Sequence, residues 1–157
     1  MIAVIGCGNI NRCDDGVGSA VLRTLAVREL AREPAVRLLD AGTDGVAVMF
    51  AARGCRSLIV VDACRSGSAP GAVFEVPGAE LEPSATPPVG THEFRWDHAL
   101  HAGRRVFEDF PADVTVLLVE AASVELGTAL SPPVAAAAVK VADRVERLVR
   151  ERMQATP

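Results

Sequence analysis

No stretch of this sequence reaches the ~18 unbroken apolar residues of a membrane span. No basic run marks a face for nucleic acid or anionic lipid. Lysine is nearly absent: Lys140 is the only one, and arginine supplies the rest of the positive charge. With 16 Lys+Arg against 20 Asp+Glu the formal net charge is −4, which argues against nucleic acid and membrane surfaces as partners. The four cysteines, Cys7, Cys13, Cys55 and Cys64, contain no CxxC pair, so a structural zinc site is not expected. The Gly-x-Ser-x-Gly and His-Glu-x-x-His signatures of two common hydrolase classes are missing. There is no internal repeat, low-complexity tract or linker. Met1-Ile2-Ala3-Val4-Ile5-Gly6 lacks the basic segment and cleavage site of a signal peptide, so the expected location is cytoplasmic, with the thiols reduced.

What is present fits one α/β domain over residues 1–157. Half of the residues are hydrophobic and 23% are charged, a composition that buries a core without disulfides or structural metal. Ile2–Gly6 reads as a buried strand. Asp14 stands where an N-cap would, and Val17, Val21, Leu22, Leu25 and Leu30 then recur at helical spacing to about Arg32. Val36–Leu39 is a second strand, followed by the tight loop Asp40–Thr43 and a helix from Gly45 to Arg53 with Asp44 as its cap. Ser57–Val61 is an apolar run suited to a strand covered on both faces, and Asp62 closes it. Ala72–Val76 follows too closely for a helical crossover, so it is expected at an edge or antiparallel. Pro77–Thr91 holds four prolines and two glycines, and a loop of that length is usually functional or mobile. A helix over Glu93–Phe107, a strand over Val114–Val119 and a last helix from Pro132/Pro133 to about Arg152 complete the order βαβαββαβα. The expected fold is a three-layer α/β/α sandwich around a mostly parallel, twisted five-stranded sheet, like those of phosphorylases and hydrolases. Its ligand crevice should lie beyond the carboxyl ends of the first and third strands.

The residues at those two ends carry the chemistry. Gly6-Cys7-Gly8 superficially matches a dinucleotide fingerprint, but Asn11 stands where the third glycine belongs, and Asp14 and Asp15 occupy the helix start that a pyrophosphate would need. One aspartate of the pair can cap, while the other points towards the crevice. Asp62 ends a Leu-Ile-Val-Val strand and is either a local cap or a functional carboxylate. His92 opens the third helix beside the long loop. Asp15, Asp62 and His92 form a two-carboxylate, one-imidazole set suited to a divalent transition metal with open positions, which can activate water. His98 and His101 share a spacing of three, but the apolar stripe of Trp96 and Leu100 leaves His98 towards solvent and His101 at the boundary. Cys64 with His92 is a conceivable nucleophile pair; a packed thiol is the commoner state. Cys7 reads as a thiol packed at the strand end. Trp96 reads as core.

The chain resembles the hydrogenase maturation endopeptidases, which process the nickel-containing large subunit of [NiFe] hydrogenases. Gly6-Cys7-Gly8-Asn9 running into Asp14-Asp15-Gly16-Val17-Gly18 is similar to that family's opening motif. Asp40-Ala41-Gly42-Thr43 is similar to its D-x-G-T turn, and Leu58–Ala63 to its central strand and aspartate. Thr91-His92-Glu93-Phe94 and Leu130-Ser131-Pro132-Pro133-Val134 are similar to its histidine segment and last-helix opening. The resemblance implies a metal-dependent endopeptidase that removes a C-terminal extension from a [NiFe] hydrogenase large-subunit precursor after nickel insertion. It implies that Asp15, Asp62 and His92 contact nickel supplied by that substrate, a site that other divalent metals are able to occupy. It implies Asp40 as a further residue near the cleavage point, its role open, with a nearby carboxylate such as Asp40 able to activate water. Two other classes stay open: a non-catalytic checkpoint that docks on the nickel centre, and a phosphate- or nucleotide-binding module, against which Asp14 and Asp15 argue.

Overall fold

The computed structural model of the chain describes residues 1–81 and 94–155. Within them, β1 (Ile2–Cys7), β2 (Val36–Gly42), β3 (Ser57–Cys64), β4 (Val73–Pro77) and β5 (Asp113–Glu120) form one sheet in the order β2-β1-β3-β5-β4. The β1–β2, β1–β3 and β3–β5 pairs are parallel. Only β4 runs antiparallel, at the edge beside β5, with Val73 opposite Val119 and Val76 opposite Val116. The helices are α1 (Val17–Ala26), α2 (Gly45–Ala52), α3 (Trp96–Val106) and α4 (Pro132–Gln154). No helix among the described residues is long and apolar enough to cross a membrane.

Period-two alternation along the buried strands divides the core into two layers. Ile2 and Val4 of β1, Ile59 and Val61 of β3, and Leu117 and Val119 of β5 pack with α1 and α4 on one face. Ala3 and Ile5, Leu58 and Val60, and Val114 and Val116 pack with α2 and α3 on the other. All six residues of β1 are buried, as are the first seven of β3. These apolar runs match the sandwich that the sequence implied.

The first helix is shorter than its periodicity predicts. α1 stops at Ala26, and a separate 3-10 turn covers Glu29–Arg32. The physical reason is the gap of five between Leu25 and Leu30, which misses the helical stripe. Breaking the helix lets Leu30 turn back into the core while Val27 stays exposed. α3 starts at Trp96 rather than Glu93, which lies outside the described residues; it ends at Val106 because Phe107 leaves in an extended conformation to meet the ring of Phe50. The Pro77–Thr91 loop begins with a 3-10 turn at Gly78–Glu80, and from residue 82 onward it too lies outside the described residues.

Asp14 does not cap α1 as the sequence predicted; Gly16 occupies that position. Asp14 is fully buried in the 3-10 turn Cys13–Gly16, and its carboxylate gathers the loop between β5 and α4. Oδ2 accepts from the backbone N–H groups of Ala122 (2.8 Å) and Ser123 (3.1 Å) and from the Ser131 hydroxyl (2.9 Å). Oδ1 accepts from the Ser131 N–H at 2.7 Å. Burial opposes the charge, but these four donors outweigh it and hold the carboxyl below its ordinary value. A depressed carboxyl stabilises the fold above the unfolded carboxylate range, and that contribution is lost as pH falls through the folded value. Asp14→Asn forces an NH2 group against at least one of these donors. The expected loss is about 2–3 kcal/mol, which lowers the melting temperature by about 5–10 °C in a chain of this size. Thermal unfolding at neutral pH checks it, and the gap between wild type and variant should narrow as the pH is lowered.

Candidate active site

The strand order reverses between β1 and β3, and a cavity of about 210 Å³ opens at their carboxyl ends. Cys7 and Gly8 from the end of β1, Asp15 from the 3-10 turn, Gly42–Gly45 from the β2–α2 junction, Asp62 from β3, and Arg95 and Trp96 at the start of α3 line it. A wider cleft of about 720 Å³ shares Asp15, Thr43, Arg95 and Trp96 with it and continues past Arg12, Cys64 and Arg65.

Close backbone approach builds this end of the sheet. Gly8 has φ of 119°, and a Cβ there would lie 1.9 Å from the Asp15 carbonyl oxygen and 3.4 Å from Asp62 Oδ1. Only glycine lets the β1 loop thread between the two aspartates. The loop turns back so that the Asn9 N–H donates to Asp15 Oδ2 at 2.7 Å. A Cβ on Gly45 would meet the Phe94 carbonyl oxygen at 2.1 Å. Without one, the Gly45 N–H donates to that carbonyl at 3.1 Å and fixes the start of α3 against the start of α2. Asp44 caps α2 as the sequence predicted, accepting from the Ala47 N–H at 3.0 Å.

Asp62 is the buried carboxylate of the cavity, 3% exposed. Its Oδ1 accepts from the Ala63 N–H at 2.8 Å. Its Oδ2 accepts from the Trp96 indole N–H at 2.7 Å and from the Arg95 guanidinium at 3.2 Å. Burial pushes this carboxyl above its ordinary value, although the indole and the guanidinium pull the other way. The local-cap and cavity roles weighed from the sequence coexist: one oxygen holds Ala63, and the side chain lines the cavity.

Asp15 and Asp62 are therefore brought to one cavity. The Asp40 carboxylate is exposed, accepts from the Gly42 N–H at 3.2 Å, and does not line the cavity. His92 lies outside the described residues. Among the described residues no cluster of three or more His, Cys, Asp or Glu side chains forms a metal cage. His98 is less exposed than its wheel position predicts: its side chain is 17% exposed, its Nδ1 accepts from the Arg95 N–H at 3.2 Å, and its ring stacks on Phe94. Cys64 donates to Glu120 Oε2 at 3.2 Å, and burial followed by that hydrogen bond pushes its thiol up to about 12. It is protonated at neutral pH and a poor nucleophile as it stands. Burial, with the neighbouring charges of Asp62 and Asp40, also pushes the Cys7 thiol up.

Sequence reasoning missed Arg95 and took Trp96 as core alone. Trp96 is buried, yet its indole N–H is committed to Asp62. The signal was available, because a buried indole N–H requires an acceptor and Asp62 is a buried carboxylate at a strand end. Trp96→Phe removes that donor. The Asp62 carboxyl should then rise further, at a stability cost of about 1–3 kcal/mol. Thermal unfolding and a carboxyl-carbon NMR titration of Asp62 check both. The sign is opposite to that of Asp14: a raised carboxyl binds its proton more tightly when folded, so this group favours the fold as pH falls through its raised value.

The hydrogenase maturation protease (HycI) family model matches residues 20–148. Coenzyme F420 hydrogenase subunit delta of Methanothermobacter thermautotrophicus is 34% identical over 97 residues, 56% of this chain and 61% of that protein, so the chain spans less than two thirds of this relative's length. An endopeptidase from Escherichia coli superposes with a TM-score of 0.82 at 28% identity, covering 96% of this chain and 93% of its own. The hydrogenase maturating endopeptidase HybD from E. coli gives 0.80 at 27%, with the same coverage. The [NiFe] hydrogenase maturation protease HybD from Thermococcus kodakarensis, at 24% identity and a TM-score of 0.74, shares the fold over 94% of this chain and 97% of its own. With the family model spanning most of the sequence and the same fold in these structures, this chain belongs to the hydrogenase maturation protease family.

Proposed function

We propose that this chain is the endopeptidase that removes the C-terminal extension of a [NiFe] hydrogenase large-subunit precursor, and that it recognises the nickel already bound in that precursor. The observation that carries the reading is the meeting of Asp15 and Asp62, from separate elements, in one cavity at the switch point of the sheet. Two carboxylates there, with Asp44 on the same wall, favour a cation and disfavour a phosphate. His92 is proposed as the third metal contact, and Asp40 as a carboxylate near the scissile bond.

Two or three oxygen and nitrogen ligands without a thiolate make an incomplete cage. Such a cage holds little metal by itself, but it adds ligands to an ion that the substrate already grips. Nickel is thus part of the substrate, and its presence is the specificity device. A precursor without nickel lacks the central contact and does not dock productively. In the proposed reaction, a water polarised by the nickel or by a neighbouring carboxylate adds its oxygen to the scissile carbonyl carbon. The C–N bond then breaks, and the water's protons are shared between the new carboxyl group and the departing amine.

Purified protein mixed with nickel-loaded precursor should shorten it by the mass of the extension, and nickel-free precursor should stay intact. Asp62→Asn is expected to lower the cleavage rate by about 100-fold or more, the scale of a lost catalytic or ligating carboxylate. Equal cleavage by wild type and an Asp62→Asn/His92→Ala double variant overturns these assignments. A ligand must be ionised, and the Asp62 carboxyl lies above its ordinary value. Cleavage should therefore fail on the acid side at a higher pH than an ordinary solvent-exposed aspartate would dictate, which a pH–rate profile reads directly.

A further inference from the structure

Three donors hold Asp62, and they differ in kind. The Ala63 N–H belongs to the backbone of β3, and the Trp96 indole belongs to a buried ring. Both donors belong to buried residues. The third donor is the Arg95 guanidinium, at the end of a long side chain that is 64% exposed. Its contact to Oδ2 is 3.2 Å, long for a charge-assisted bond, which typically spans ~2.7–2.9 Å. The backbone beneath it is fixed, because the Gly45 N–H grips the Phe94 carbonyl and the Arg95 N–H donates to His98. The root of this side chain is fixed, and its head is held by Asp62 alone among the contacts above and is otherwise exposed.

The head also has somewhere to go. Arg95 lines both the small cavity that holds Asp62 and the wider cleft beside it. The two spaces meet at this residue, so a turn about its side-chain bonds would carry the guanidinium from the first towards the second. We propose that Arg95 is an exchangeable plug on Asp62, neutralising the carboxylate in the empty site and swinging into the wider cleft when a divalent cation takes its place. This rests on the reading that Asp62 contacts the precursor's nickel.

The physical basis is mutual exclusion. A guanidinium and a dication compete for the same carboxylate oxygen, because at contact distance their like charges repel each other. A free ion must displace the plug with only the contacts of an incomplete cage. An ion delivered in a precursor arrives with the whole docking interface behind it. The plug therefore raises the threshold against stray metal and leaves the docked substrate able to cross it.

The test is equilibrium dialysis of Ni²⁺ alone against the full, tag-free chain. Arg95→Gln removes the charge, and Arg95→Lys keeps it. Arg95→Gln is expected to bind Ni²⁺ about tenfold or more tightly than wild type, the scale on which one adjacent like charge shifts an ionic equilibrium. Arg95→Lys should bind as wild type does, and adding Asp62→Asn to Arg95→Gln should abolish the gain. Binding by Arg95→Gln no tighter than wild type overturns the plug, and so does a gain that survives Asp62→Asn. Precursor cleavage separates the two levels. If Asp62→Asn still cleaves at the wild-type rate, the nickel-contact reading itself falls. If it does not cleave while Arg95→Gln shows no gain, only the plug falls.

Discussion

A carboxylate at the carboxyl end of a central, doubly covered strand is the constraint on which this molecule turns. β3 lies between β1 and β5, with helices packed on both faces, so Asp62 is buried where the strand end meets the cavity. A charge there must be met by donors or by a cation. The surrounding features follow from that need. Gly8 keeps the β1 loop thin enough to pass beside the carboxylate. Trp96 turns its N–H inward at the first residue of α3. Gly45 holds the start of that helix close enough for the indole to reach.

Two other acids are buried near the same end of the sheet, and the comparison separates structure from function. Asp14 receives four hydrogen bonds, and Glu120 receives donors from the Ser66 and Gly67 backbone, the Ser66 hydroxyl and the Cys64 thiol. In both, burial opposes ionisation and the donors overcome it, leaving the carboxyl below its ordinary value. These are clasps: Asp14 ties the loop before α4 to the turn after β1, and Glu120 ties the end of β5 to the turn after β3. Asp62 is the exception, with its carboxyl above the ordinary value despite an indole and a guanidinium in contact. Burial outweighs those donors, and the side chain lines the cavity. Asp14 and Glu120 brace loops, whereas Asp62 lines the cavity between β1 and β3.

Much of this was legible in the residues. The unbroken apolar runs of β1 and β3 announced strands covered on both faces. The short spacing before Val73 announced the antiparallel edge. The order of elements placed the crevice beyond β1 and β3, where the cavity lies. Two aspartates side by side at a helix start could not both cap, and one of them does line the cavity. What was not legible was which partner each would find. Asp14 reaches across to Ser131 over a long sequence separation, and no local pattern encodes that contact. The break after α1 lay in a spacing of five between leucines, which a helical template absorbs too easily. Arg95 looked like one more surface arginine in a sequence where arginine carries nearly all the positive charge, and only the packing of Gly45 against Phe94 reveals where it points.

The hydrogen bonds around the cavity explain why a glycine loop that superficially resembles a nucleotide cradle offers a phosphate little to hold. In a phosphate loop, free backbone N–H groups and a helix N-terminus face the anion. Here the Asn9 N–H is consumed by Asp15, and the Gly8 N–H is consumed by the Gly42 carbonyl at 2.8 Å. The amides that would hold a phosphate already hold the protein together. What lines the space instead is the carboxylates of Asp15 and Asp62, with the exposed Arg95 guanidinium beside them. The same loop geometry, with its donors occupied from within, no longer forms an anion cradle.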